Sequence, residues 1–252
     1  MGLLKNRVAL VTGSSRGIGA AIARCFAAEG ARVALHGRDT PALIQVRDSI
    51  ARENGEAAIF TADLTRFSEI EAMREQAESA LGPIDLLVAN AGGNPAPPTE
   101  IERISEQGWR ACIETNLTAT FLTLKSLLPG MKQRRRGNIV AISSAAARRP
   151  DARSPVAYAA AKAGIQMLAQ DAAAQVGPYG IRINCIAPET ILTERNLERV
   201  PAALRHTLAE AHPLKRLGAP EDVAQAALFL ASDASGWLTG VILDVAGGSV
   251  MT

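Results

Sequence analysis

The 252-residue sequence predicts an α/β fold of the doubly wound kind, in a single domain spanning residues 1–252, on three observations. Short apolar runs do not alternate in polarity, so they read as strands buried on both faces of a parallel sheet. Helix-length stretches separate those runs with short joins, which puts helices on both faces of the sheet. A glycine-rich turn follows the first run, where sheets of this kind gather ligands.

Taken in order, Val8–Thr12 is a strand that ends at glycines, and Ile18–Glu29 is an alanine-rich helix stopped by Gly30. Arg32–Leu35 is a strand, and Pro41–Glu53 a helix ended by Asn54-Gly55. Ala57–Phe60 is a strand, Ser68–Leu81 a helix stopped by Gly82-Pro83, and Leu86–Ala89 a buried strand. One long helix runs from about Glu106 to Met131 and leads to the strand Asn138–Ile142. Helix Pro155–Val176, strand Arg182–Ala187, helix Glu221–Leu230 and strand Val241–Val245 complete the series. Two stretches break the rhythm: the Pro/Gly loop Gly92–Thr99 and the polar, helix-forming Glu189–Lys215. Both leave from carboxyl ends of strands, where ligands sit in a parallel sheet. They are candidate pocket walls, the second a substrate lid at about 189–215, or else solvated insertions.

Composition narrows the function. Lys+Arg is 27 and Asp+Glu 25, a net +2, and aromatics are 4%, which leaves neither a strong basic field nor stacking platforms for nucleic acid. No apolar window reaches about 18 residues without a charge, so no membrane span is expected. Cys25, Cys112 and Cys185 form no C-x-x-C pair, and His36, His206 and His212 no ligand pattern. A metal site is not expected, and a reducing, cytoplasmic setting is. The N-terminus enters the first strand without a charged-then-apolar leader.

Thr12-Gly13-Ser14-Ser15-Arg16-Gly17-Ile18-Gly19 joins strand to helix. Glycines let backbone turn sharply and approach a pyrophosphate, and the helix start aims free N–H groups at the anion. Glycines also make plain turns; the place after the first strand favours a dinucleotide site. An acid roughly 20 residues past the glycines would bond an unphosphorylated ribose. Gly37 stands there, followed by Arg38, with Arg16 in the loop. Two guanidiniums suit the 2′-phosphate of NADPH. Asp39 turning in to bind NAD, and Arg38 simply facing solvent, are the alternatives.

Ser143-Ser144 ends the fifth strand, and Tyr158 and Lys162 lie four apart on the next helix, on one face. An ammonium beside a phenol favours phenolate, so Lys162 is expected to bring the Tyr158 pKa down toward neutral and make it a usable proton donor and acceptor. A strand-end hydroxyl can hold a substrate oxygen. Y-x-x-x-K alone occurs on ordinary helix surfaces; with the glycine loop it does not read as chance.

These motifs, with Asp63-Leu64, Asn90-Ala91-Gly92, Asn116, Asn184, Pro188, Thr193 and Pro220-Glu221-Asp222-Val223-Ala224, resemble the short-chain dehydrogenase/reductase family from Val8 to about Gly248. The resemblance implies a Rossmann-type, seven-stranded parallel sheet, a nicotinamide cofactor and a homotetramer in which the long helix and the Tyr158 helix pair across a twofold axis. It makes Tyr158 the general acid, Lys162 the residue that tunes it and holds the nicotinamide ribose, and Ser144, with Ser143 as rival, the carbonyl ligand. Asn116 would support a water linking Lys162 to solvent. Gly13, Ser15, Arg16, Gly17, Ile18, Gly19, Arg38, Asp63, Leu64, Asn90, Ala91, Gly92, Pro188, Ile191 and Thr193 would line the cofactor, Asp63 on the adenine amino group, Ile191 and Thr193 on the carboxamide. Two departures stand out: Glu189 where the family has glycine after Pro188, and Ala246 where it has an acid.

The expected activity is NADPH-dependent interconversion of a ketone and a secondary alcohol. The chain resembles 3-oxoacyl-thioester reductases, and Lys132, Arg134, Arg135 and Arg136, with Arg148, Arg149 and Arg153, would attract an acidic acyl carrier protein or form a solvated face. Tyr179, where carrier reductases often have a basic residue, counts against the carrier. Sugar, polyol, steroid and other ketones stay open, as does a catalytically silent dinucleotide sensor or scaffold, although such proteins tend to lose the tyrosine or lysine.

Overall fold

Val8–Thr12 (β1) is buried at every position. A strand covered on both faces needs apolar side chains on both, and this is why the run does not alternate. It is followed by α1 (Gly17–Ala28), β2 (Arg32–His36), α2 (Thr40–Arg52), β3 (Glu56–Phe60), α3 (Phe67–Leu81) and β4 (Leu86–Ala89). The second half holds α4 (Glu106–Ile113), α5 (Ala119–Arg134), β5 (Gly137–Ile142), α6 (Val156–Val176) and β6 (Ile181–Pro188). Helices α7 (Glu194–Arg199), α8 (Ala202–Ala211) and α9 (Pro220–Ala231) precede β7 (Ile242–Val245). The structure, a computed structural model, describes residues 2–93, 98–151 and 154–251, with the side chain of residue 199 outside that description.

The seven strands form one sheet in the order β3-β2-β1-β4-β5-β6-β7, and every neighbouring pair is parallel. Connections run outward in opposite directions from β1 and β4, so the crevice at their carboxyl ends is the switch point where a doubly wound sheet binds its ligand. Helices α1, α2 and α9 cover one face, around Phe26, Leu43, Val46 and Leu230. Helices α3, α5 and α6 cover the other, around Met73, Leu127, Met131 and Ile165. Alternate residues of β1 serve the two cores, Ala9 and Val11 the first, Val8 and Leu10 the second.

One expectation needs correction. The stretch from Glu106 is not an uninterrupted helix: a π turn at Glu114–Thr118 separates α4 from α5. Side chains that compete for the helix ladder account for it. The Thr115 hydroxyl donates to Ala111 C=O at 2.7 Å, Asn116 Nδ2 to Cys112 C=O at 2.9 Å, and the Thr120 hydroxyl to Asn116 C=O at 2.8 Å. Elsewhere the strands and helices lie within about two residues of the expected bounds, as helix and strand ends commonly do. Of the loop Gly92–Thr99, residues 94–97 fall outside the described residues.

A buried clasp holds the switch point together. Thr12 is 1% exposed. Its hydroxyl donates to Val88 C=O at 3.2 Å and accepts the Asn90 and Ala91 N–H groups, each at 3.0 Å. Thr12→Val keeps the shape and removes the acceptor from both N–H groups. It is expected to cost about 2–3 kcal/mol in urea denaturation; an unchanged midpoint would contradict this role for the clasp.

Candidate active site

The loop after β1 depends on glycine at two places. Gly13 has φ +66°, in the left-handed region. A Cβ on Gly19 would stand 2.2 Å from Gly13 C=O, so only glycine lets α1 start this close to the strand. The Asn90 side-chain amide donates to the carbonyls of Thr12 at 2.9 Å and Gly13 at 3.1 Å, which docks the end of β4 onto the loop. The Gly17 N–H, at the positive end of α1, donates to the Glu194 carboxylate at 3.1 Å. Glu194, in the first turn of α7, is thus an anion already standing on the glycine loop. That contact, with the Cβ-free approach at Gly19, is the fit expected of a pyrophosphate cradle.

The ends of β2 and β3 form the next wall. His36 is buried; its Nε2 meets Ala62 C=O at 3.1 Å, and Gly13 N–H donates to its Nδ1 at 3.3 Å. Burial lowers its pKa, so it serves as a neutral bridge between loop and strand ends. Gly37, exposed Arg38, Asp63 and Leu64 line the cavity beyond it. The Asp63 carboxylate accepts the Thr65 N–H at 2.9 Å and hydroxyl at 2.8 Å, which hold its pKa below the usual range. The two-guanidinium expectation needs amendment, because Arg16 is ion-paired with Asp39, leaving one net positive charge on Arg16, Arg38 and Asp39 together. Both partners are substantially exposed, so the pair contributes about 0–1 kcal/mol and yields readily to a stronger anion.

At the other end, Lys162 is 3% exposed. Its Nζ donates to Ile142 C=O at 2.8 Å, and burial pushes its pKa down to about 8. The ammonium lies 5.7 Å from the centre of the Tyr158 ring, one helical turn away. The expectation that Lys162 draws the Tyr158 pKa down is not met in this structure. The phenol is pushed up, first by burial; the Ser144 hydrogen bond and the Arg195 charge act against that rise, and Cys112 adds to it. Burial penalises phenolate more than a lysine held on a strand-end carbonyl can offset.

The two serines divide cleanly. Ser143 donates to Lys162 C=O at 2.8 Å and accepts from Gln166 Nε2 at 3.0 Å, so it fastens α6 to β5. Ser144, whose hydroxyl accepts the Ala146 N–H at 3.2 Å, lines the cavity with Tyr158. Asn116 is fully buried and clasps Gly93 in both directions, each bond 3.0 Å. A Cβ on Gly92 would lie 2.6 Å from Asn116 Oδ1 and 3.6 Å from Lys162 Nζ. Asn116 therefore shapes the end of β4 beside the lysine.

The glycine loop, His36, Arg38, Asp63, Ser143, Ser144, Tyr158, Lys162 and Glu194 border one cavity of about 960 Å³, and Asn116 does not; the space is ample for a dinucleotide with a small substrate. Pro188, Ile191 and Thr193 border it from β6 and the segment after it. The Thr193 hydroxyl caps α7 through Asn196 N–H at 3.3 Å, and its methyl stands 3.0 Å from where a Gly17 Cβ would be. The expected lid thus contains α7, seated on the glycine loop, followed by α8. The basic clusters are engaged with neighbours, although Arg134, Arg135 and Arg136 stay exposed. Lys132 and Arg135 lie over the Tyr179 ring at 4.9 and 5.9 Å, and Arg136 pairs with Asp85 at 3.2 Å. That cluster sits at the amino end of β5, opposite the cavity. Beside the cavity, Arg148 pairs with Asp244 at 3.0 Å and Arg149 with Glu189 at 3.7 Å, while Arg153 lies outside the described residues.

Three contributions escape a reading by motif. Thr12 was legible as the start of the glycine motif but not as a clasp, and His36 only as the residue that ends the second strand. Glu194 carried one usable signal, an acid in the first turn of a helix placed after a strand's carboxyl end.

Comparison with known proteins agrees with this geometry. A family model described as enoyl-(acyl carrier protein) reductase matches residues 13–250. The chain is 35% identical over 247 residues to 7α-hydroxysteroid dehydrogenase of Escherichia coli (strain K12), covering 98% of this chain and 95% of that one. It is 36% identical over 248 residues to 3-oxoacyl-[acyl-carrier-protein] reductase of Chlamydia trachomatis, covering 98% of each. A crystal structure of a 3-oxoacyl-[acyl-carrier protein] reductase from Brucella melitensis with bound NAD superposes with a TM-score of 0.89 at 32% identity, covering 99% of this chain and 95% of that one.

The buried lysine makes stability depend on pH. Its folded pKa of about 8 lies below the unfolded value of about 10.4. The folded chain therefore holds fewer protons than the unfolded chain between these values, and this group's contribution becomes more favourable as pH rises through that window. Lys162→Met is expected to raise Tm by a few degrees near pH 7, with the gap to wild type narrowing near pH 10. An unchanged Tm difference across that range in thermal unfolding would contradict the lowered pKa.

Proposed function

The chain belongs to the short-chain dehydrogenase/reductase family, oxidoreductases of CH–OH and C=O groups, and within it we propose that this protein interconverts a ketone and a secondary alcohol with NADPH. The observation that carries the reading is that Ser144, Tyr158 and the buried Lys162 border one cavity, which the glycine loop also borders. Gly13, Ser15, Arg16, Gly17, Ile18 and Gly19 would hold the pyrophosphate end. Asp63, Leu64 and Asn90 to Gly92 would line the adenosine half, and Pro188, Ile191 and Thr193 the nicotinamide half. Reduced nicotinamide supplies the hydride when it is bound.

The protein's own residues handle the proton. Ser144 donates to the carbonyl oxygen and stabilises the negative charge that develops there. Tyr158 gives its hydroxyl proton to that oxygen, leaving phenolate. An elevated phenol pKa keeps the proton on Tyr158 until an acceptor arrives, which suits the reductive direction. Lys162, as ammonium, then stabilises the phenolate from one helical turn away.

The preference for NADPH rests on Gly37 and Arg38. A Cβ at Gly37 would lie 3.4 Å from the Ser15 Cβ, in ordinary contact, so a side chain would fit there and its absence leaves space beside the loop. The Arg16–Asp39 pair favours the alternative, an NAD-dependent alcohol, polyol, sugar or steroid dehydrogenase. A 3-oxoacyl thioester, delivered by an acyl carrier protein, is the substrate that the Chlamydia relative suggests. Exposed Trp109, Phe121, Val156 and Met167 on α4, α5 and α6 are apolar area in excess of what the sheet covers, which supports the homotetramer.

Tyr158→Phe is expected to bind NADPH normally while losing about 10²–10⁴-fold in ketone turnover. Near-wild-type NADPH oxidation over a ketone panel would remove Tyr158 from its role. Arg38→Ala is expected to weaken NADPH binding about tenfold or more, with little change for NADH. Equal losses in fluorescence titrations of the two would refute the 2′-phosphate assignment.

A further inference from the structure

Glu189 follows Pro188 at the carboxyl end of β6, its N–H on Val245 C=O at 3.1 Å, so its backbone is part of the sheet's hydrogen bonding. Its side chain is 17% exposed and borders the cavity together with Ser144 and Tyr158. An ionised carboxylate offers about four acceptor sites. Among the described residues this one meets the Thr190 hydroxyl at 3.4 Å and Arg149 Nη2 at 3.7 Å, the second beyond hydrogen-bond reach. A largely buried carboxylate thus stands in the cavity with acceptor capacity unfilled. Arg149 is half-exposed and anchored close to Ser144, its N–H on Ala145 C=O at 3.3 Å.

Of the apolar residues lining the cavity near Ser144, Tyr158 and Glu189 in sequence, Ala145, Ala146, Pro155 and Pro188 are small, and Ile142 and Ile191 are the larger ones. An acyl chain or steroid body would gain little against such walls and would strip water from a carboxylate. A hydroxyl is donor and acceptor at once, so a vicinal pair of hydroxyls can give a hydrogen to Glu189 and take one from Arg149. We propose that Glu189 and Arg149 are the specificity-determining pair for a polyhydroxylated substrate, a polyol or its hydroxyketone, whose hydroxyl next to the reacting carbon donates to Glu189. This rests on the ketone/alcohol reading and selects among its substrates.

The test compares kcat/KM for oxidation with NADP⁺ of a panel of hexitols and pentitols, of cyclohexanol, and of a 3-hydroxybutanoyl thioester. Wild type is expected to favour its best polyol over cyclohexanol by about tenfold or more. Glu189→Gln, nearly isosteric, is expected to cut that ratio about 10- to 100-fold, chiefly through KM. Arg149→Gln is expected to cut it in the same direction, and carries the test should the Glu189 variant fail to fold. A ratio within twofold of wild type in the folded variants, a preference for the thioester, or turnover of cyclohexanol with none of any polyol would overturn the proposal alone. Normal cofactor binding without turnover of any compound would overturn the underlying reading as well.

Discussion

A buried ammonium on a strand-end carbonyl organises the reacting half of this protein. Lys162 Nζ on Ile142 C=O ties α6 to the end of β5, and the Ser143 bond to Lys162 C=O repeats the tie from the other side. With both ends of Lys162 held, Tyr158 stands a helical turn away, on the same cavity as Ser144. The cost is desolvation of a cation, visible in the lysine's lowered pKa, and the same burial raises the phenol's. Burial thus keeps the proton on the phenol, while the lysine stays an ammonium below about pH 8.

The other half is organised by close approach. Thr12, Asn90 and His36 pull the ends of β1, β4 and β2 together with buried hydrogen bonds. Glycine at 19 lets the first helix begin against that knot. The N–H groups so exposed need an anion, and Glu194 supplies one from α7. A bound pyrophosphate would compete with that carboxylate for the Gly17 N–H.

Between the two halves, charge is distributed in pairs rather than as a field. Arg16 with Asp39, Arg148 with Asp244 and Arg149 with Glu189 each neutralise a guanidinium that the sequence alone shows as basic. The Arg148–Asp244 pair, the most buried of them, is structural in character. The loosest, at Glu189, lies in the cavity where a substrate can exchange its own polar groups for the partner.

The strand–helix order, the parallel sheet and the glycine loop were legible in the sequence, because burial on both faces and a Cβ-free turn each demand particular residues at consecutive positions. Tyr158 and Lys162 were legible as a pair because helical periodicity places residues four apart on one face. Local sequence could not tell that Glu106–Met131 contains a π turn, since threonine and asparagine side chains also bond the preceding turn's carbonyls in uninterrupted helices. Nor could it tell that Arg16 is paired, that the basic run before β5 faces away from the cavity, or that the phenol's pKa rises. Periodicity is a property of neighbours along the chain, whereas desolvation and ion pairing depend on what the rest of the fold brings within a few ångströms, and only the tertiary structure decided those.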